Sequence, residues 1–153
     1  YDHQREALFR SYDKESFAYF MEMGCGKSKV LIDNMAWLYW HRKIDTAIIV
    51  APKGVYTNWR NNELPIHLSD DISSKVYIWK ASLTKRETTE LKSSVGGEAR
   101  RNLRILLINV EAFATKKIFK FLTCKGVWVS LHIKPNISKI SLRQHFKTFC
   151  LLV

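Results

Sequence analysis

The stretch Met23-Gly24-Cys25-Gly26-Lys27-Ser28 constrains this chain more than any other. Two glycines one residue apart let the backbone turn its N–H groups toward a single point with no Cβ in the way. The flanks decide how such a turn is used. Before it, Ser16-Phe17-Ala18-Tyr19-Phe20-Met21 is aromatic-rich and reads as a strand. After it, Lys27 to His41 carries Val30, Leu31, Met35, Leu38 and Tyr39 at helical spacing. Strand, glycine loop and helix in that order make the setting of a phosphate-binding loop. In that setting Lys27 reaches the β- and γ-phosphates and is the residue expected to touch the reacting phosphate. The Ser28 hydroxyl is the expected ligand of Mg²⁺, and Met23, Gly24, Cys25 and Gly26 line the loop. The expected cofactors are ATP and Mg²⁺. The usual spacing, G-x-x-x-x-G-K-[ST], would put glycine where this chain has Met21. Taken without its flanks, the stretch also suits a tight turn whose serine caps a helix. Cys25, inside the loop, is expected to be protected from alkylation by bound nucleotide.

A chain of 153 residues, 46% of them hydrophobic, is long enough for one domain with a real core. It contains no run of eighteen apolar residues, so no membrane partner is expected. Three cysteines, Cys25, Cys124 and Cys150, are too few and too odd for a disulfide framework. A reducing, cytoplasmic location follows as the expectation. The five histidines are scattered and receive no role. A start at Tyr1, with no basic or apolar leader, reads as a segment cut from a longer protein.

The net charge of +11 favours an anionic partner such as nucleic acid, but it is unevenly placed. Residues 1–112 hold 17 Lys and Arg against 14 Asp and Glu, hence +3. Residues 113–153 hold 8 basic residues and no acid, hence +8.

Along the chain, Asp2 is expected to cap a helix running through Arg10. Thr46-Ala47-Ile48-Ile49-Val50-Ala51 is a continuous apolar run between Asp45 and Pro52, the pattern of a parallel strand buried on both faces. A helix from Val55 to Leu64 should stop near Pro65. Lys75 to Trp79 reads as a strand and Thr84 to Lys92 as an exposed helix broken by Gly96-Gly97. Leu103 to Asn109 is another buried strand, followed by a helix over Glu111 to Leu122. Strands alternating with helices predict an α/β domain with a mainly parallel sheet. Ligands of such sheets sit at the carboxyl ends of the strands, so the loops after Met21, Ala51 and Asn109 should share one rim.

Four segments in order carry a resemblance. They are Asp2-His3-Gln4-Arg5-Glu6-Ala7-Leu8, the loop with its preceding Glu22, Ile48 to Lys53 running on to Asn58-Trp59-Arg60, and Leu106 to Phe113. The series resembles the first RecA-like lobe of superfamily-two helicases, over roughly residues 1–122, and most of all the Snf-type branch with its phage and bacterial DNA helicases. Loops of that family commonly read E-M-G-x-G-K-[ST], which accommodates Met21. The resemblance implies a P-loop, RecA-like fold and the ATP-binding part of a nucleic-acid-dependent ATPase acting on duplex DNA. It implies that Gln4 reads the adenine edge and that Pro52, Lys53 and Asn109 lie along the nucleic-acid path. Trp59 is expected to be structural. A phosphate contact needs charge more than base-edge geometry, which suits Lys53.

The resemblance also implies an Asp-Glu pair on a strand after Asn109, to hold Mg²⁺ and polarise the attacking water. Here Glu111 is the last acid of the chain, where typical composition would give about five more in the remaining residues. The strand-like run Gly126 to Leu131 stands where the acidic strand should be and continues into His132-Ile133-Lys134-Pro135-Asn136. The resemblance implies a second RecA-like lobe as well, which these 153 residues do not include. Residues 123–153 are therefore read as a basic, acid-free tail with two explanations. The sudden loss of one charge class favours an out-of-frame or truncated product. The other explanation is a genuine segment that makes the chain a nucleotide-independent, basic nucleic-acid-binding fragment. Ile137, Ile140, Phe146, Phe149 and Val153 would share one face if the tail were helical.

Overall fold

The computed structural model describes residues 1–14, 17–79, 86, 89, 102–114, 118, 127–134, 137–144 and 148–152. The chain is α/β, built on a parallel sheet flanked by helices. Helix α1 (Asp2–Ser11) and helix α2 (Lys27–Trp40) precede strand β1 (Thr46–Ala51). Asp2 lies in the first turn of α1 rather than at its cap, and favours the helix through the dipole. A second helical stretch follows β1: α3 (Lys53–Asn58), a π-helical turn (Trp59–Glu63) and α4 (Leu64–His67). Strands β2 (Ser74–Ile78) and β3 (Leu103–Asn109) complete the main body, with a 3-10 turn over Val110–Ala114. The tail supplies β4 (Val127–Lys134), β5 (Ile137–Gln144) and β6 (Thr148–Leu152).

The sheet order is β2-β3-β1-β6, with every neighbouring pair parallel. Its two central strands are the two continuous apolar runs of the sequence, because only a strand covered on both faces needs such a run. One face, Ala47, Ile49, Leu103, Ile105 and Leu107, joins Leu31, Ile32 and Met35 of α2 and Trp59 and Leu64 in a single core cluster. On the other face Ile48, Val50, Leu106 and Ile108 are also buried. Register aligns Ala51 with Asn109, so β1 and β3 end level with each other.

Three further expectations are corrected. Residues 17–21 form no strand, although their composition suits one. The edge of β1 opposite β3 is filled instead by β6, with Ile48 level with Cys150. Left outside the sheet, Phe20 is 96% exposed, while Tyr19 turns inward against the core. Second, the helix after β1 does not stop at Pro65. The π-helical turn Trp59–Glu63 shifts the hydrogen-bond register just before Pro65, and the helical run continues two residues past it, to His67. Third, the tail is not helical over 137–144. Ile137 and Ile140 lie on β5, which pairs antiparallel with β4, Lys134 level with Ile137. Phe149 lies on β6, and Phe146 and Val153 fall outside the described residues.

Of the helix expected over Glu111 to Leu122, Val110–Ala114 is 3-10 helical and Ile118 is helical and buried; the rest falls outside the described residues. Within the helix expected at Thr84 to Lys92, Arg86 and Thr89 are helical, and the remainder, like Gly96-Gly97, falls outside them. Among the described residues no helix is long and apolar enough to cross a membrane.

Candidate functional site

The loop between Met21 and α2 is shaped by its two glycines. Gly24 has φ +82° and Gly26 φ +73°, left-handed values that other residues reach only with strain. Gly26 is the N-cap position of α2, so the first N–H groups of that helix have no carbonyl of their own turn to bond. Lys27 folds back over this opening. Its Nζ donates to the carbonyl oxygens of Met21, at 2.6 Å, and Glu22, at 2.7 Å. The ammonium is thus held at the loop by two neutral acceptors that a phosphate oxygen would readily replace. Ser28 sits half-buried in the first turn of α2, and Met23 is 95% exposed.

Gln4 reaches the same loop from α1. Its Nε2 donates to the Cys25 carbonyl at 3.2 Å, across 21 residues of chain. His3 Nε2 lies 3.2 Å from that carbonyl as well, a contact that requires the Nε2–H tautomer. The approach is close enough that a Cβ on Gly26 would overlap Gln4 Nε2. Gly26→Ala is therefore expected to destabilise the protein by about 1–3 kcal/mol through its left-handed backbone and to expel Gln4 from the loop. Gly54→Ala, in the open first turn of α3, is the control, and should be neutral or stabilising by up to ~1 kcal/mol. Urea unfolding of the two variants measures both effects.

Beneath the loop a buried polar network joins three segments. Asn34 Nδ2 donates to Tyr19 Oη at 3.0 Å and lies 3.4 Å from Ser11 Oγ. The Tyr19 hydroxyl donates to Ser11 Oγ, and Ser11 Oγ donates to the Leu8 carbonyl at 3.1 Å. Donors and acceptors thus run in one direction from α2 to α1. Asn34 is 3% exposed, and its Oδ1 has no hydrogen-bond partner, a cost of about 1–3 kcal/mol.

At the level ends of β1 and β3 stand the residues expected along a nucleic-acid path. Pro52 is the exposed N-cap of α3, and Lys53, its first residue, is exposed. Asn109 Oδ1 accepts the Ala112 N–H at 2.7 Å, so this side chain also holds the turn after β3. The rim has two strand ends rather than three, because Met21 ends no strand. Among the described residues there is no cluster of three or more His, Cys, Asp or Glu able to hold a metal.

The structure thus unites Gln4 with Cys25 and Gly26, and places Pro52 and Lys53 directly after the Ala51 end of β1, which is level with Asn109 at the end of β3. Sequence reasoning passed over His3 and the Ser11–Tyr19–Asn34 network. Helical spacing carries a signal for Asn34, which lies three and four residues after the inward Leu31 and Val30. No protein-family model, curated protein or solved structure matches this chain.

Proposed function

We propose that this chain is the ATP-binding lobe of a Snf-type, superfamily-two DNA helicase or translocase, with a RecA-like P-loop fold. The observation that carries the reading is the seat of Gln4 on the loop. Two segments singled out separately in the sequence, one for the base and one for the phosphates, meet through the Cys25 carbonyl.

The residues present suit a nucleoside triphosphate. Left-handed Gly24 and Gly26 open the loop, the start of α2 offers N–H groups and a positive dipole end, and Lys27 exchanges two carbonyls for phosphate oxygens. Gln4, with an amide that both donates and accepts, suits the adenine edge. Ser28 would be the chain's ligand to Mg²⁺, which would supply positive charge against the phosphates. The sequence offers no Asp-Glu pair after Glu111 to complete the metal's coordination or orient water. What the residues do is bind and orient; the second lobe would supply the rest of the pocket. Weak nucleotide binding and no ATP turnover are therefore expected of the chain alone. DNA-stimulated hydrolysis abolished by Lys27→Ala would overturn that expectation.

Nucleic acid would run past the level ends of β1 and β3, with Lys53 on a backbone phosphate. Lys53→Ala is expected to weaken duplex DNA binding uniformly across sequences. It should lower the slope of log affinity against log salt by about one. DNA affinity indifferent to Lys53 and Lys27, but lost on deleting residues 113–153, would favour the basic-fragment reading instead.

A further inference from the structure

We infer that the Ser11–Tyr19–Asn34 network is a positioning device that sets Gln4 against the phosphate loop and thereby couples base recognition to phosphate recognition. For its ligand the inference rests on the nucleotide reading above; for its mechanics it rests on the geometry alone.

Helices α1 and α2 run side by side in the same direction and are joined by two rungs. The upper rung is Gln4 on the Cys25 carbonyl, at the mouth of the loop. The lower rung is Asn34 on Ser11 and Tyr19. Ser11 follows Gln4 by seven residues on α1, and Asn34 follows Lys27 by seven on α2. Seven residues are close to two helical turns, so each pair shares a face with a separation of about 10 Å along the axis. The lower rung therefore fixes the rotation and axial position of α1 relative to the helix that carries Lys27. Tyr19 adds a third grip. It lies two residues before Met21, whose carbonyl accepts a hydrogen bond from Lys27. One amide thus reaches both the helix that carries the base-reading residue and the segment that leads into the loop. An apolar side chain at position 34 would fill the same space with no unpaired oxygen. The polar group there does what a hydrocarbon cannot, which is to fix direction and register.

The test uses Asn34→Ala together with Tyr19→Phe, which removes one oxygen and keeps the ring. The first readout needs no nucleotide: the alkylation rate of Cys25, resolved from Cys124 and Cys150 by peptide mass mapping. Both variants should raise that rate roughly fivefold, the change corresponding to one lost hydrogen bond, with the other two cysteines unaffected. Gln4→Ala should do the same. The second readout is the ratio of Mg-ATP to Mg-GTP affinity beside the affinity for tripolyphosphate. The variants should bring the two nucleotides together and leave tripolyphosphate binding unchanged. A Cys25 rate untouched in both variants overturns the inference. So does tripolyphosphate affinity falling in step with ATP, the mark of a merely structural role. If the parent protein binds none of the three ligands, the nucleotide reading fails, and the alkylation rates decide the coupling by themselves.

Discussion

Replacing Lys27 with alanine is expected to lower Mg-ATP affinity by about 10- to 100-fold, the equivalent of ~1.5–3 kcal/mol for hydrogen bonds to a charged group. Stability should stay within about 0.5 kcal/mol of the parent, because the half-exposed lysine bonds only to two loop carbonyls that water can serve as well. The combination is diagnostic. A residue that merely closes the loop would cost stability when removed, whereas one waiting for phosphate costs affinity. Calorimetric titration and urea unfolding of the same variant separate the two. Protection of Cys25 from alkylation by Mg-ATP, lost in Lys27→Ala, provides an independent check.

The largest effect on stability is expected at Trp59. It belongs to the π-helical turn, is 2% exposed, and packs in the cluster that joins α2 to β1 and β3. Trp59→Ala should cost about 3–5 kcal/mol, for the lost burial and for a cavity that a rigid sheet cannot close. Against a typical domain stability of about 5–15 kcal/mol, that change brings the protein close to unfolding at ordinary temperature. Trp59→Phe should recover part of the loss. Trp40, 54% exposed at the end of α2, is the contrast, and its replacement by alanine should change stability little. Thermal and urea unfolding of the three variants test whether Trp59 is structural, as the family resemblance implies.

How much of this was legible in the sequence depended on whether local pattern and tertiary demand agreed. Thr46–Ala51 and Leu103–Asn109 were readable to the residue, because a strand buried on both faces must be apolar throughout. Helix α2 was readable from its spacing. Residues 17–21 satisfy strand propensity equally well, yet propensity carries no information about which segment takes the open edge of β1. In this structure Thr148–Leu152 takes it. The Pro65 stop failed for a related reason, since the π-helical turn just before it shifts the hydrogen-bond register and the helical run continues to His67. At the site, the glycines and Lys27 were legible because backbone conformation and charge are properties of single residues. The meeting of Gln4 with Cys25 is a property of two helices packing, and was reachable only through the order of segments along the chain. Asn34 was hidden because a polar residue on an apolar face looks the same in sequence whether it is an error of period or a deliberate tie.

The most direct measurement is a calorimetric titration of the unmodified chain with Mg-ATP and, separately, with Mg-GTP. If Gln4 and the loop form one nucleotide site, ATP should bind, weakly, and more tightly than GTP, because the Gln4 amide matches the adenine edge and leaves guanine's reversed donor and acceptor unpaired. No detectable binding of either nucleotide, or equal binding of both, would contradict the account.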